Sequence, residues 1–233
     1  QYPLGVVMSA RRRAALLELA QKRRAIVIED DYDAEFRYGD RPLDALQTLD
    51  RSSSVFYVGT FSKSLFPGIR LGFVVAPEWA RRALGAAKQC ADWHCCVLTQ
   101  DTLAAFIEEG HLARHVRRMR SLYAARRAAL LDGLRTHFSG WLDPVPSAAG
   151  LHLCALADAS VDMEAFVDKA RERGVGVYSL RRYYAGRPGT PGLLFGYGTI
   201  SEDDIDAALA ILRRIPRVTT IQGGTLKSAG RGA

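Results

Sequence analysis

The chain has 233 residues, 48% of them apolar and 24% charged, and its 32 basic and 25 acidic side chains leave a formal net charge of +7. That balance belongs to a globular protein able to bury a sizeable core, and it excludes the disordered and collagen-like classes. No apolar run is long enough to span a membrane as a helix, and the opening QYPLGVVMSARRR lacks the cationic-then-apolar order of a secretion signal.

The chain does not open on Met, so the expectation is a part of a longer polypeptide. The positive excess suits anionic partners, phosphorylated small molecules and nucleic acid alike. Cys90, Cys95, Cys96 and Cys154 show no framework spacing and read as reduced thiols of a cytoplasmic protein.

In chain order, Ser9 can cap a helix with Ala10, Ala14 and Leu17 on one face, closing in the basic QKRR. The run AIVI at 25–28 then meets EDD, and VFYVG (55–59) and LGFVVAP (71–77) follow. Short, β-branched and uninterrupted, all three predict parallel strands covered on both faces, hence an α/β layer. From Thr99 the pattern is helical, interrupted near Gly110. Leu112, Val116, Met119 and Tyr123 make an apolar stripe, while Arg114, Arg117, Arg118, Arg120 and Arg127 supply polar surface. These arginines read as a solvated face, with nucleic-acid contact as the alternative.

After Pro144 short strands alternate with helices. GLHLCALA (150–157), VGVYSL (175–180) and GLLFGYG (192–198) are strand-like. Met163, Phe166, Val167 and Ala170 mark a helical face stopped by Gly174. Ser201 and Asp204 form a capping pair ahead of Ile205, Ala208, Leu209 and Leu212, and Pro216 ends that helix. The expected division is a portion of a large domain at 1–110, a linking helix and small α+β domain at 111–217, and a polar, frayed tail at 218–233.

Two segments carry chemistry. In VFYVGTFSKSLFPGIRLGFVVAP a strand delivers Thr60, Ser62 and Lys63 to a turn, Pro67 and Gly68 bend the chain, and Arg70 opens the next strand. Open α/β sheets bind ligands at the carboxyl ends of their strands, where hydroxyls and a guanidinium suit a phosphate dianion. Lys63 is a further phosphate contact or a Schiff-base amine. No GxxxxGK[ST] pattern surrounds it, so a nucleotide P-loop is excluded. In AIVIEDDYDAEFRY, Asp30, Asp31 and Tyr32 fall just beyond another strand. A carboxylate beside a pyridine nitrogen and a phenol beside a ring oxygen are what pyridoxal phosphate needs from a protein; the alternative is an acidic turn.

Together the segments resemble the fold-type I aminotransferases, whose lysine motif reads much like TFSKSLFPGIRLG. The pairing of EDDYDAEFRY with YVGTFSKSLFPGIRLGFVVAP is similar to the MocR/GabR-type regulators of the GntR superfamily, which join a winged-helix DNA-binding domain to an aminotransferase-like domain. QYPLGVVMSARRRAALLELA, AAGLHL and VGVYSLRRYY share that likeness, which covers about residues 1–215. The resemblance implies that Lys63 forms the internal aldimine with pyridoxal 5'-phosphate. It further implies that Asp30 pairs with the pyridine nitrogen (Asp31 being the fallback), that Tyr32 meets the phenolic oxygen, and that Thr60, Ser62 and Arg70 hold the phosphate. Arg182, or its neighbour Arg181, resembles the carboxylate-binding arginine of the GABA-responsive members. The late strand GLLFGYG lacks the substrate arginine of many aminotransferases.

The resemblance also implies an upstream start to the large domain, a homodimer, an amine or amino-acid effector, and DNA contact through a winged helix outside this chain. A catalytically active aminotransferase is the alternative. Cys90 and His94 would fall at i, i+4 on a helix, but adjacent Cys95 and Cys96 diverge and no second ligand pair is near, so no metal is expected. The histidines at 111, 115, 137 and 152 and the tryptophans at 79, 93 and 141 read as structural or packing groups.

Overall fold

The computed structural model describes residues 1–38, 44–147, 149–187 and 189–217. The tail expected at 218–233 lies outside the described residues. The chain divides into two compact units, one of Gln1–Arg127 with Pro146–Leu151, the other of Ala128–Val145 with the chain from His152 onward.

The first unit opens with α1 (Ala10–Arg23), where the Ser9 hydroxyl accepts the Arg12 N–H as the cap signal anticipates. Strand β1 runs Val27–Asp31, β2 runs Val55–Thr60 and β3 runs Gly72–Val75, in the order β1-β2-β3. The short helix α2 (Leu46–Leu49) precedes β2. The carboxylate of Glu29 accepts the N–H groups of Leu46 and Gln47 at 2.9 and 3.1 Å, tying α2 to β1.

Two expectations are corrected here. The first strand starts at Val27 rather than Ala25 and runs through Glu29, Asp30 and Asp31, so both aspartates end the strand instead of following it. β1 and β2 are parallel, but β3 is antiparallel to β2, and neither β3, exposed along its length, nor β1, with Ile28 71% exposed, is covered on both faces. The reason is connection length. Residues 61–71 hold only a short 3-10 turn at Pro67–Ile69, and a parallel return needs a crossover of a dozen or more residues, usually a helix.

Helices α3 (Glu78–Asp92), α4 (Val97–Glu108) and α5 (His111–Phe138) follow. Gly110, at φ +74°, separates α4 from α5 as its position suggests. α3 stops at Asp92 and Trp93 takes φ +63°, so Cys90 and His94 do not share a helical turn. Along α5, Leu112, Val116 and Met119 are half-buried and Tyr123 is buried, its ring edge-on to Phe36 at 5.0 Å. Arg127 departs from the expected polar surface: it donates to the Ser147 carbonyl and lies over the Tyr38 ring at 5.5 Å.

The second unit holds the four-stranded sheet β4-β5-β7-β6, antiparallel throughout, from β4 (Leu142–Pro144), β5 (His152–Ala157), β6 (Tyr178–Ser179) and β7 (Gly192–Gly196). Two helices, α6 (Met163–Glu172) and α7 (Glu202–Arg213), belong to the same unit. Met163, Phe166, Val167 and Ala170 are buried, as the helical face requires. The Ser201 hydroxyl accepts the Asp204 N–H and donates to its carboxylate at 2.6 Å, completing the cap of α7. Of VGVYSL, only Tyr178 and Ser179 form a strand before the chain enters a 3-10 turn at Leu180–Tyr183.

Candidate functional site

The site is built where two parallel strands end side by side. The register pairs Asp30 with Val58 and Asp31 with Gly59. Side chains alternate along a strand, so Asp30, Val58 and Thr60 belong to one face of the sheet, and Tyr32 follows in the bend just beyond β1. Glu29, Asp31, Tyr57 and Gly59 belong to the other. On that second face the Tyr57 hydroxyl donates to the Asp31 carboxylate at 3.0 Å. Phe73, paired with Gly59 across β3, lays its ring where any Cβ on Gly59 would collide with it. Asp31 is therefore engaged, while Asp30 stays exposed on the face it shares with Thr60.

Beyond β2 the chain folds back on itself. The Phe61 N–H bonds the Leu71 carbonyl at 3.2 Å, and the Leu65 N–H bonds the Phe61 carbonyl at 2.8 Å. Thr60 Oγ1 accepts the Ser62 N–H at 3.1 Å. Arg70 takes a left-handed backbone, φ +50°, and its N–H closes on the Pro67 carbonyl at 3.4 Å. Lys63 and Arg70 stand exposed on this loop, and neither pairs with a carboxylate among the described residues. Ser64, beside Lys63, is 1% exposed and its hydroxyl has no hydrogen-bond partner among the described residues.

The acidic strand end sets the local electrostatics. Burial, followed by the charges of Asp33, Asp30 and Asp31, pushes the Tyr32 phenol up to about 12, so it remains an O–H donor at neutral pH. Burial and then Asp31 push Tyr57 upward too, keeping it a donor to that carboxylate. Burial raises Asp33, with Asp31 adding to the rise, while the amino terminus, Arg37 and Lys63 pull it back. The field of Lys63 thus reaches the acidic segment. A cavity of about 260 Å³ adjoins it, with Met8, Glu29, Asp30, Asp31, Tyr32 and Arg37 in its wall.

Asp30, Tyr32, Thr60, Ser62, Lys63 and Arg70 all belong to the first unit, at one end of its sheet. Arg181 and Arg182 belong to the second, on its 3-10 turn, where Ser179 Oγ accepts the Arg181 N–H at 3.1 Å. The Arg182 guanidinium lies over the rings of Tyr178 and Tyr183 at 5.5 and 5.7 Å. Sequence reasoning missed Tyr57 and Ser64. The parity of Tyr57 with Asp31 emerges only once the strands are in register, and Ser64 carries no signal short of its burial.

A parallel strand pair whose ends deliver a carboxylate and phenol on one side and a hydroxyl-lysine-arginine loop on the other has the chemistry a phosphate-bearing, amine-reactive cofactor calls for. The model of the aminotransferase class I and II family matches residues 1–211, and the chain belongs to that family. The family is dependent on pyridoxal phosphate. The residues present fit that group: hydroxyls and an open guanidinium for the phosphate, an exposed primary amine, and a free carboxylate two residues before a protonated phenol.

Among its relatives is the probable rhizopine catabolism regulatory protein MocR of Rhizobium meliloti, 36% identical over 91% of this chain and 43% of that protein. Aromatic-amino-acid aminotransferase 1 of Thermococcus litoralis is 32% identical over 80% of this chain and 45% of its own length. The chain thus spans less than half of the curated relatives it matches. The kynurenine aminotransferase of Pyrococcus horikoshii, solved with PMP, superposes with a TM-score of 0.84 at 30% identity, over 91% of this chain and 53% of that one. These similarities agree with the resemblance read from the two motifs, in fold and in family.

Proposed function

We propose that this chain is the pyridoxal-phosphate-binding, aminotransferase-like effector portion of a transcriptional regulator of the MocR/GabR type, responding to an amine or amino acid. One observation carries the reading: Asp30 shares a sheet face with Thr60 while Asp31 is engaged by Tyr57 on the other. When bound, the cofactor supplies an electrophilic carbon for a primary amine and a protonated ring that accepts electrons.

The chain's own groups do the rest. Asp30 holds the ring-nitrogen proton, and Tyr32 donates its O–H to the ring oxygen. Thr60, Ser62 and Arg70 orient the phosphate, with the Arg70 fork giving paired donors. Lys63 would hold the cofactor through Nζ, and its amine is the group an effector's primary amine would replace. Arg182, or its neighbour Arg181, receives the effector carboxylate. Regulation follows if the effector binds two arrangements of the whole protein with different affinity. In this reading the full polypeptide is a cytoplasmic homodimer that reads DNA through a winged helix outside this chain. Among the described residues no helix is long and apolar enough to cross a membrane.

A working aminotransferase is the second reading, favoured by the likeness to the Thermococcus litoralis enzyme. There the free Lys63 amine would serve as the general acid–base that carries the substrate's proton. Borohydride reduction of the full-length, pyridoxal-phosphate-loaded protein, followed by peptide mapping, tests the site common to both. Label on Lys63 is expected, and label confined to any other residue of the folded protein overturns the assignment. Multiple turnovers of keto acid from an amino-acid donor would establish the enzyme.

A further inference from the structure

Resting on the regulator reading, we infer that the outward face of α5 is a contact surface for the phosphate backbone of duplex DNA, carried by Arg114, Arg117 and Arg118. From His111 to Arg127 this helix holds six arginines and no carboxylate. Leu112, Val116, Met119 and Tyr123 take the inward side. At 3.6 residues per turn, positions 114, 117 and 118 then fall on the opposite side, and all three are exposed, as is Arg120.

Elsewhere several exposed helical cations have an acid one turn away, in Glu78–Arg81, Lys88–Asp92 and Asp168–Arg171, and so does Arg135 later in α5, with Asp132. Among the described residues no carboxylate pairs with Arg117, Arg118 or Arg120. The nearest acid before the helix, Glu109, is bonded to His111 at 3.0 Å, and the other nitrogen of that ring holds Arg114 at 2.8 Å. Like charges at i, i+3 and i, i+4 repel, and a polyanion relieves that repulsion.

Spacing and composition point to the backbone of a duplex. Arg114 and Arg118 stand about 6 Å apart along the helix axis, a spacing on the order of that between neighbouring phosphates along one strand of a duplex. The outward positions carry no aromatic side chain on which a base could stack. The contact is therefore to phosphate, independent of sequence, and adds to whatever the upstream domain reads.

The test uses the full-length protein and a fluorescent random-sequence duplex a few turns long, titrated between about 50 and 200 mM salt. Wild type is compared with the R114Q/R117Q/R118Q triple variant and with the corresponding triple Lys variant. Each lost phosphate contact lowers the slope of log affinity against log salt by about 0.9, so the Gln variant should be shallower by about 2 to 3 while the Lys variant keeps the wild-type slope. A Gln variant with the wild-type slope overturns the inference and leaves the regulator reading standing. Failure of the wild type to bind any duplex sinks both. Phosphatidylserine vesicles serve as the control anion: a loss confined to vesicles would reassign the face to lipid and likewise overturn the proposal.

Discussion

Exchanging each strand-end aspartate for asparagine tests the central geometric argument. Asp30→Asn keeps the shape and removes the charge on the face shared with Val58 and Thr60. A hydrogen bond to a charged group contributes about 1.5–3 kcal/mol, and every 1.4 kcal/mol is tenfold in affinity. Pyridoxal phosphate should therefore bind the full-length Asp30→Asn protein about 10- to 150-fold more weakly. Asp31→Asn acts on the opposite face. It turns a charge-assisted bond from Tyr57, 3.0 Å long, into a neutral one, costing about 1 kcal/mol of stability. It also removes a like charge that raises Asp33 and Glu35, which offsets part of that cost. Its cofactor affinity should stay within a few-fold of wild type. Spectrophotometric titration of the apoprotein reads the affinities, and a thermal scan reads the stabilities. If Asp31→Asn lost the cofactor and Asp30→Asn kept it, the face assignment would be wrong.

Further expectations concern stability. Burial alone would raise Asp50, but N–H groups from Ser52, Ser54 and Val55 and the Ser52 hydroxyl hold it below the ordinary carboxylate value. A depressed carboxylate stabilises the fold above its unfolded value, about 3.9, and that contribution disappears as pH falls through the lower folded value. Asp50→Asn should cost about 1–2 kcal/mol at neutral pH, after allowance for solvent exposure, and the difference from wild type should vanish in acid denaturation. Phe166 is fully buried, edge-on to Trp141 at 5.6 Å. Phe166→Ala should destabilise the second unit by about 3–5 kcal/mol, read by urea unfolding through Trp141 fluorescence. A loss under 1 kcal/mol would contradict that packing.

Much of this architecture was legible because its signals are local. Ser9 and Ser201 announce their helices through bonds that span three residues. The stripe from Met163 to Ala170 is a property of one helix. The EDDYD and TFSKSLFPGIR motifs could be read for chemistry because both fall at strand ends, and the family match agrees with that reading. What failed was non-local. The direction of β3 depends on whether the short loop at 61–71 crosses the sheet or turns back, and periodicity does not distinguish the two. The first strand was placed too early because an apolar run was expected to bound it, whereas pairing with β2 carries the ladder through three consecutive carboxylates.

The sequence by itself determined the family and the helix boundaries marked by caps and glycines, and it nominated residues for chemistry, because each is written in contiguous segments. Tertiary structure decided how those residues are placed. Asp30 and Asp31 are adjacent and chemically identical, and both lie near the same motif. Only the register against β2, which aligns Asp31 with Gly59 and brings the Tyr57 hydroxyl from 26 positions away, leaves one carboxylate engaged and the other open. A hydrogen bond across strands is a relation between distant segments, and no pattern within either segment specifies it.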